Sequence, residues 1–511
     1  MARFVNSTES ISSSLMLWND RPTQIAIEDT FTQKVWPVEN NLNTGNPSTF
    51  NIPPQPNGML TDLEVVTKFR IQQKSTAKTI GGVEYENTVF KEAFTVVNNF
   101  ANSLWSLVEI KMDDRIDLMQ SMHNAYAYSS FFNHALNSDS THEDYLLYNE
   151  IFKMDGPGVE DNKFKATNMF WEKNETLIDA KEKVIDADTQ LTDAQKKDQK
   201  DLLELDMDNY IPAVTGNTPN NAGGTARAKR VLGNKEIVTC AKLQCPLFNT
   251  SKCLPTNMKI RVSLTKNNDN FLILTAFGDK DYNDNGTATF RVIIEDVYLA
   301  ATYYRPRDQI LRAIEDRLNV EPAPYFISKP EIIIKPVADK TKVIRITDVF
   351  HNKLPSYAFF CLQKSKDFEG NLKGNPYNFI PFQRFQFYVN GSPYFNDALE
   401  LERIDQKTWT CYEFGEYLRQ LYRTVGKDIQ GNCLINSSNF VLHFMVGMSF
   451  GADKSSTSER HLNLQEKAST YLEIDMGINE DKIPEDMILI IYAVYDRQIQ
   501  IDGDRKIKII E

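Results

Sequence analysis

Two long runs of apolar, β-branched and aromatic residues constrain the fold of this chain more than anything else in it: FRVIIEDVYLAATYYRPR from Phe290 to Arg307 and MILIIYAVYDRQIQID from Met487 to Asp502. Val, Ile and Tyr suit a pleated, half-buried surface, so both runs read as strands. One comes late in the first part of the chain and the other at its end. A strand of this kind written twice points to a repeat.

The repeat shows in the order of features. LVEIKMDDRID, around Asp113 and Asp114, and FQFYVNGSPYF, around Asn390 and Gly391, are each a strand, a two-residue turn signal and a return. Asn-Gly is a strong hairpin signal because both residues tolerate positive φ. Each hairpin is followed by one helical segment, MHNAYAYSSFFNHALN from Met122 and CYEFGEYLRQLYRTVG from Cys411, the second ending at a glycine C-cap, Gly426. Further strands are expected from Gln24, Met59, Leu104 and Lys259 in the first half, and from Glu331, Lys342, Tyr357, Arg384, Asn439 and Thr470 in the second. Helical periodicity is rare, and short alternating runs bounded by Asn, Asp, Gly and Pro mark an all-β sandwich. The fold class is therefore all-β, with two like sandwiches in tandem.

The expected organisation is an N-terminal arm over residues 1–17, a first sandwich over 18–305, a connecting helix over 306–324 and a second sandwich over 325–511. The helix places Ile310, Leu311, Ile314 and Leu318 on one face, entered at Pro306 and stopped by Pro322 and Pro324. A helix that links the sandwiches and one that caps the first both fit this pattern. The first sandwich carries an insertion at about 137–234. Its middle is charged with possible helices, and its end, GNTPNNAGGTARAKR, has the composition of an exposed loop. The basic residues from Arg227 to Arg230 read as part of that solvated loop, with a weak nuclear-import signal as the alternative.

At 511 residues the chain exceeds one ordinary core. Its net charge of -12 argues against coating nucleic acid, which needs clustered cations, so no specific nucleic-acid site is expected. No stretch approaches the roughly 18 apolar residues of a membrane helix, and the first residues lack a signal-peptide core, so a cytosolic or nuclear location is expected. The six cysteines, Cys240, Cys245, Cys253, Cys361, Cys411 and Cys433, fit reduced thiols better than a disulfide scaffold.

Catalytic patterns fail on inspection. Gly447 to Gly451 matches the G-x-S-x-G nucleophile elbow around Ser449, but a polar segment with no strong helical face follows, and His461 is the one downstream base, with Asp453 between, so a triad would have to fit into about a dozen residues. Asp281 to Gly286 resembles half of a calcium loop, yet Val292 stands where a bidentate glutamate is required. Cys240, Cys245 and Cys253 have no Cys-x-x-Cys pairing or neighbouring histidine for zinc, and the six histidines are scattered. No catalytic, cofactor-binding or metal-binding residue is assigned, and no cofactor is expected.

Four stretches carry a family likeness: Arg21 to Val38, Ile294 to Pro306, Gly374 to Tyr394 and Ile483 to Ile507. In these, and in their order and spacing, the chain resembles the double jelly-roll major capsid proteins of Polinton (Maverick) elements and adintoviruses, hexon-like relatives of the adenovirus capsid protein. The segment INSSNFVLHFMV departs from the family's usual Phe-Asp-Leu-Thr type pattern. The resemblance implies that both sandwiches are eight-stranded jelly rolls, and that the protein is a virion component without enzymatic activity. It implies a homotrimer forming a pseudo-hexameric capsomer of an icosahedral shell around a double-stranded DNA genome. Neighbouring capsomers, penton-like single jelly-roll minor capsid proteins and cement proteins would be its partners, with synthesis in the host cytoplasm and assembly there or in the nucleus. It also implies that the insertion stands on the outer surface as a tower between the fourth and fifth strands, and that the arm before Leu17 orders against the shell floor or a minor capsid protein. A lectin-like or receptor-binding double sandwich, and an esterase using Ser449, are the competing readings.

Overall fold

The computed structural model describes residues 24–510 except residue 40 and the stretches 74–77, 81–82, 86–93, 113–115, 157–168, 204–209, 215–221, 232–234, 276–289, 372–374, 404–410, 427–432, 452–465 and 478–482. Eight strands build the two main sheets of the first half: β1 (Ile27–Val35), β2 (Ser48–Ile52), β3 (Met59–Gln73), β4 (Trp105–Met112), β5 (Ile116–Asp117), β6 (Ile237–Lys242), β7 (Ile260–Lys266) and β8 (Phe290–Pro306). They form two antiparallel sheets ordered β1-β8-β3-β6 and β2-β7-β4-β5.

The second half repeats them with β9 (Ala323–Pro336), β10 (Val343–Thr347), β11 (Tyr357–Lys364), β12 (Arg384–Val389), β13 (Ser392–Pro393), β14 (Val446–Ser449), β15 (Thr470–Asp475) and β16 (Met487–Ile501). Their sheets run β9-β16-β11-β14 and β10-β15-β12-β13. Adding eight to every label of the first half gives the order of the second. Each half is a jelly roll, two four-stranded sheets face to face over one core. The second roll adds a short strand to each sheet, Ile507–Ile510 on β16 and Leu399–Glu400 on β12.

The two opening runs are β8 and β16, each flanked on both sides in its sheet. Residues Met487 to Tyr495 of β16 are buried on both faces, which explains an unbroken apolar run where a half-solvated strand would alternate. In β8 the register slips between Ile294 and Asp296. Asn43 closes this bulge, donating from Nδ2 to Ile294 O at 2.8 Å and accepting from Ile294 N at 3.0 Å. The hairpin at Asn390 and Gly391 has φ of 51° and 80° and joins Val389 to Ser392, as the Asn-Gly signal requires.

Helices lie in the connections. α1 (Ala125–Asn137) follows β5, and within the insertion come α2 (Glu143–Glu150), α3 (Glu175–Ala187), α4 (Asp193–Leu203) and α5 (Ala222–Arg230). α6 (Asp308–Val320) joins the rolls and α7 (Gly415–Thr424) precedes β14. Gly426, at φ 67°, ends α7 with its N–H on Arg423 O. α6 touches both halves: Arg505 Nη2, beyond β16, lies 2.6 Å from Glu315, and Thr256 of the first roll donates to the same carboxylate at 2.7 Å. Among the described residues no helix is long and apolar enough to cross a membrane.

Four expectations need correction. The insertion falls between the fifth and sixth strands, β5 and β6, because the short return strand β5 precedes it. The end of the insertion is α5, with Arg227 fully buried, and not a solvated loop. Its glycines serve close packing: a Cβ on Gly223 would sit 2.1 Å from Met154 O. The strand expected from Asn439 is confined to Val446–Ser449, since Asn439 Nδ2 holds Leu434 O and His443 N reaches Asn439 O, winding the apolar run into turns. A short apolar run does not tell a buried strand from a buried turn. Finally β9 starts at Ala323, before Glu331, and its prolines are tolerated because β9 is an edge strand.

Candidate functional site

The most constrained place in the molecule is the seam between the jelly rolls, and α1 forms its centre. Ten of its residues are buried, from Ala125 to Leu136, among them Tyr126, Tyr128, Phe131 and Phe132. Its water-facing side is narrow, made by Ser129, Asn133 and Asn137, and the rest of its surface is covered by neighbours. It belongs by connectivity to the first roll but packs on the second. Phe131 stacks on Tyr377 with ring centroids 4.2 Å apart, and Phe132 lies 5.0 Å from Tyr492 of β16. The Tyr128 hydroxyl is 2.8 Å from both Gln363 Oε1 and Pro376 O. Asn124 donates to Phe368 O at 2.8 Å, and the Leu434 N–H reaches Ala135 O at 3.0 Å. These rings bury large apolar area, and the polar contacts fix the register between the rolls.

A charged cluster crosses the same seam. Arg227 of α5 pairs with Asp155 at 2.7 Å, both side chains fully buried. Arg227 Nε donates to Val96 O at 3.1 Å, and its Nη1 donates to Lys153 O. The other carboxylate oxygen of Asp155 accepts from Asn375 Nδ2, a residue of the second roll. A buried ion pair is tolerable only when its remaining hydrogen-bonding capacity is used, as here. His443 lies nearby, fully buried, its Nδ1 2.8 Å from Tyr377 O and its ring 5.7 Å from Phe131. Burial holds this imidazole below its ordinary range; Asp155 and the Tyr377 carbonyl oppose the shift, and Arg227 reinforces it. A second buried histidine, His134 of α1, faces Glu150 at 2.8 Å.

The residues singled out for chemistry are not brought together. Ser449 is the buried last residue of β14, paired with Tyr357, and its carbonyl accepts from the Tyr394 hydroxyl at 2.6 Å. This is strand geometry, not an exposed elbow, and Gly447 is small because Phe359 and Thr424 of α7 press on it. Asp453 and His461, the calcium-like stretch from Asp281 to Gly286, and the N-terminal arm lie outside the described residues. Burial pushes the thiols of Cys240 and Cys245 up to about 12, which keeps them protonated and unreactive. Among the described residues no group of three or more His, Cys, Asp or Glu could hold a metal ion. A surface cavity of about 460 Å³ beside Lys340, Lys364, Lys366 and Glu485 is lined mainly by charged and polar side chains, without the apolar walls typical of a small-molecule site.

The fold is that of the double jelly-roll major capsid proteins. The mavirus major capsid protein matches with a TM-score of 0.52 at 10% identity, covering 100% of this chain and 96% of that one. The Faustovirus major capsid protein matches with a TM-score of 0.54 at 8% identity, covering 95% and 92%. A chain in the structure of the Sputnik virophage matches with a TM-score of 0.55 at 11% identity, covering 100% and 94%. No protein-family model matches the chain, and no curated protein matches it.

Sequence reasoning missed the seam. α1 carried a usable signal in its aromatic residues at Tyr126, Tyr128, Phe131 and Phe132, more apolar surface than a helix on one sandwich would bury. Arg227 carried none, because its partners Asp155, Val96 and Lys153 are distant in sequence.

Proposed function

We propose that this protein is a major capsid protein whose homotrimers form pseudo-hexameric capsomers of an icosahedral shell around a double-stranded DNA genome. The observation that carries the reading is the repeated sheet order, locked by the seam into one rigid tile. Two like sandwiches per chain give six in a trimer, and a threefold closes by heterologous contacts between one chain's first roll and the next chain's second. The residues that resemble Polinton and adintovirus capsid proteins support a hexon-like member of that type, active in the virion and without catalytic role. The charged helices α3 and α4 of the insertion, among which Ile178 alone is buried, suit a tower on the outer surface. Neighbouring capsomers and minor capsid proteins are its partners in this reading.

Light scattering after size exclusion, with negative-stain images of the same peak, tests it. A species near three times 58.6 kDa with a hexagonal outline is expected. A monomer at every concentration that also fails to co-assemble with shell components would sink the capsomer reading.

A further inference from the structure

His443 is a buried titratable group of the seam that is left half-used. A carbonyl oxygen can only accept, so the Nδ1 that meets Tyr377 O at 2.8 Å carries the hydrogen, and Nε2 holds the lone pair. That Nε2 has no hydrogen-bond partner among the described residues. Native structures rarely bury a polar atom this way, and those that do invite a physical reason.

We propose that His443 is an acid-sensitive latch: a proton on Nε2 loosens the contact between α1 and the second jelly roll. The imidazolium would be a cation sealed from water between the Phe131 ring and the chain at Tyr377. The charged groups that act on it are Asp155 and Arg227. Asp155 favours the proton only weakly, because its charge is already paired with Arg227 and its second oxygen accepts from Asn375. Arg227 adds repulsion. The contrast is His134 on α1, whose Nε2 lies 2.8 Å from the Glu150 carboxylate.

The sign follows from linkage. In the opened seam the ring regains its ordinary affinity, near 6.5, while the closed seam favours the neutral ring. Above that pH the two states bind the same number of protons and His443 has no effect. As pH falls below it the open state gains a proton that the closed state resists, so opening becomes easier. Each pH unit of depression shifts the equilibrium by roughly tenfold once protonation is complete. The latch lies within one chain, so it stands or falls independently of capsomer formation.

The test is hydrogen–deuterium exchange of the full-length protein from pH 7.5 to 3, corrected for the intrinsic exchange rate, on the wild type, His443→Phe and His443→Asn. Protection in α1 and in residues 375–379 is expected to fall about tenfold or more in the wild type and to stay level in both variants. Unchanged wild-type protection, or the same loss in the variants, overturns the proposal. Should neither variant fold, the wild-type midpoint decides: a loss centred near 4, where ordinary carboxylates titrate, refutes it, and one centred between there and 6.5 supports it.

Discussion

The side chain of Gln120 hydrogen-bonds both main-chain groups of Ile332: Nε2 donates to the carbonyl at 2.8 Å, and Oε1 accepts from the N–H at 2.7 Å. Ile332 lies in β9, an edge strand, so Gln120 of the first roll acts as a one-residue strand partner for the second. Gln120→Ala leaves both backbone groups without their partner. A loss of about 1–3 kcal/mol in denaturant-induced unfolding is expected. No loss would mean that water replaces the amide at no cost.

Arg227→Met should be more severe, because it strands the Asp155 carboxylate in a dry seam. Removing one partner of a buried pair costs about 3–5 kcal/mol. Adding Asp155→Leu should recover part of it, since the uncompensated charge goes too. Thermal melts of the single and double variants decide; a double variant no better than the single would show that the hydrogen bonds to Val96, Lys153 and Asn375 matter more than the charge.

Excision of α3 and α4 should be nearly silent. α4 has no buried residue and α3 only Ile178. Replacing residues 175–203 by a short Gly-Ser linker is expected to change stability by under about 1 kcal/mol and to leave the oligomeric mass, less the excised residues, intact. Removing α5 instead should abolish folding, since Arg227 leaves with it. Equal damage from both deletions would refute this division of the insertion.

Ser449→Ala should be neutral or slightly stabilising, within about 0.5 kcal/mol, because the buried Oγ has no hydrogen-bond partner among the described residues. Hydrolysis of a simple ester should be absent before and after the change. Activity lost with this substitution would restore the esterase reading.

The architecture was legible where local chemistry and global fold agree. Met59–Gln73, Tyr357–Lys364 and the Asn390 turn follow from residues that have few other options. The second roll's identity as a copy was legible from feature order alone. What escaped was set at long range: α1 is recognisable as a helix, but nothing near Tyr128 announces Gln363 as its neighbour. Composition misled at α5, where Gly223 and Gly224 signal flexibility locally and close packing in the fold. The candidate chemical sites dissolved for a related reason. A motif such as that around Ser449 specifies residue types, while catalysis needs exposure, which β14 denies.

The position of α1 also sets a timetable for synthesis. Its aromatic residues leave the ribosome with the first jelly roll, but Tyr377 and Tyr492, which cover Phe131 and Phe132, come far later in the chain. At roughly 5–20 residues per second, tens of seconds pass before β16 is made. During that interval the nascent first half exposes a helix it cannot bury by itself. Overexpressed alone, that half would be an aggregation hazard, and in the cell the whole chain is a natural client for chaperones until its last long strand arrives.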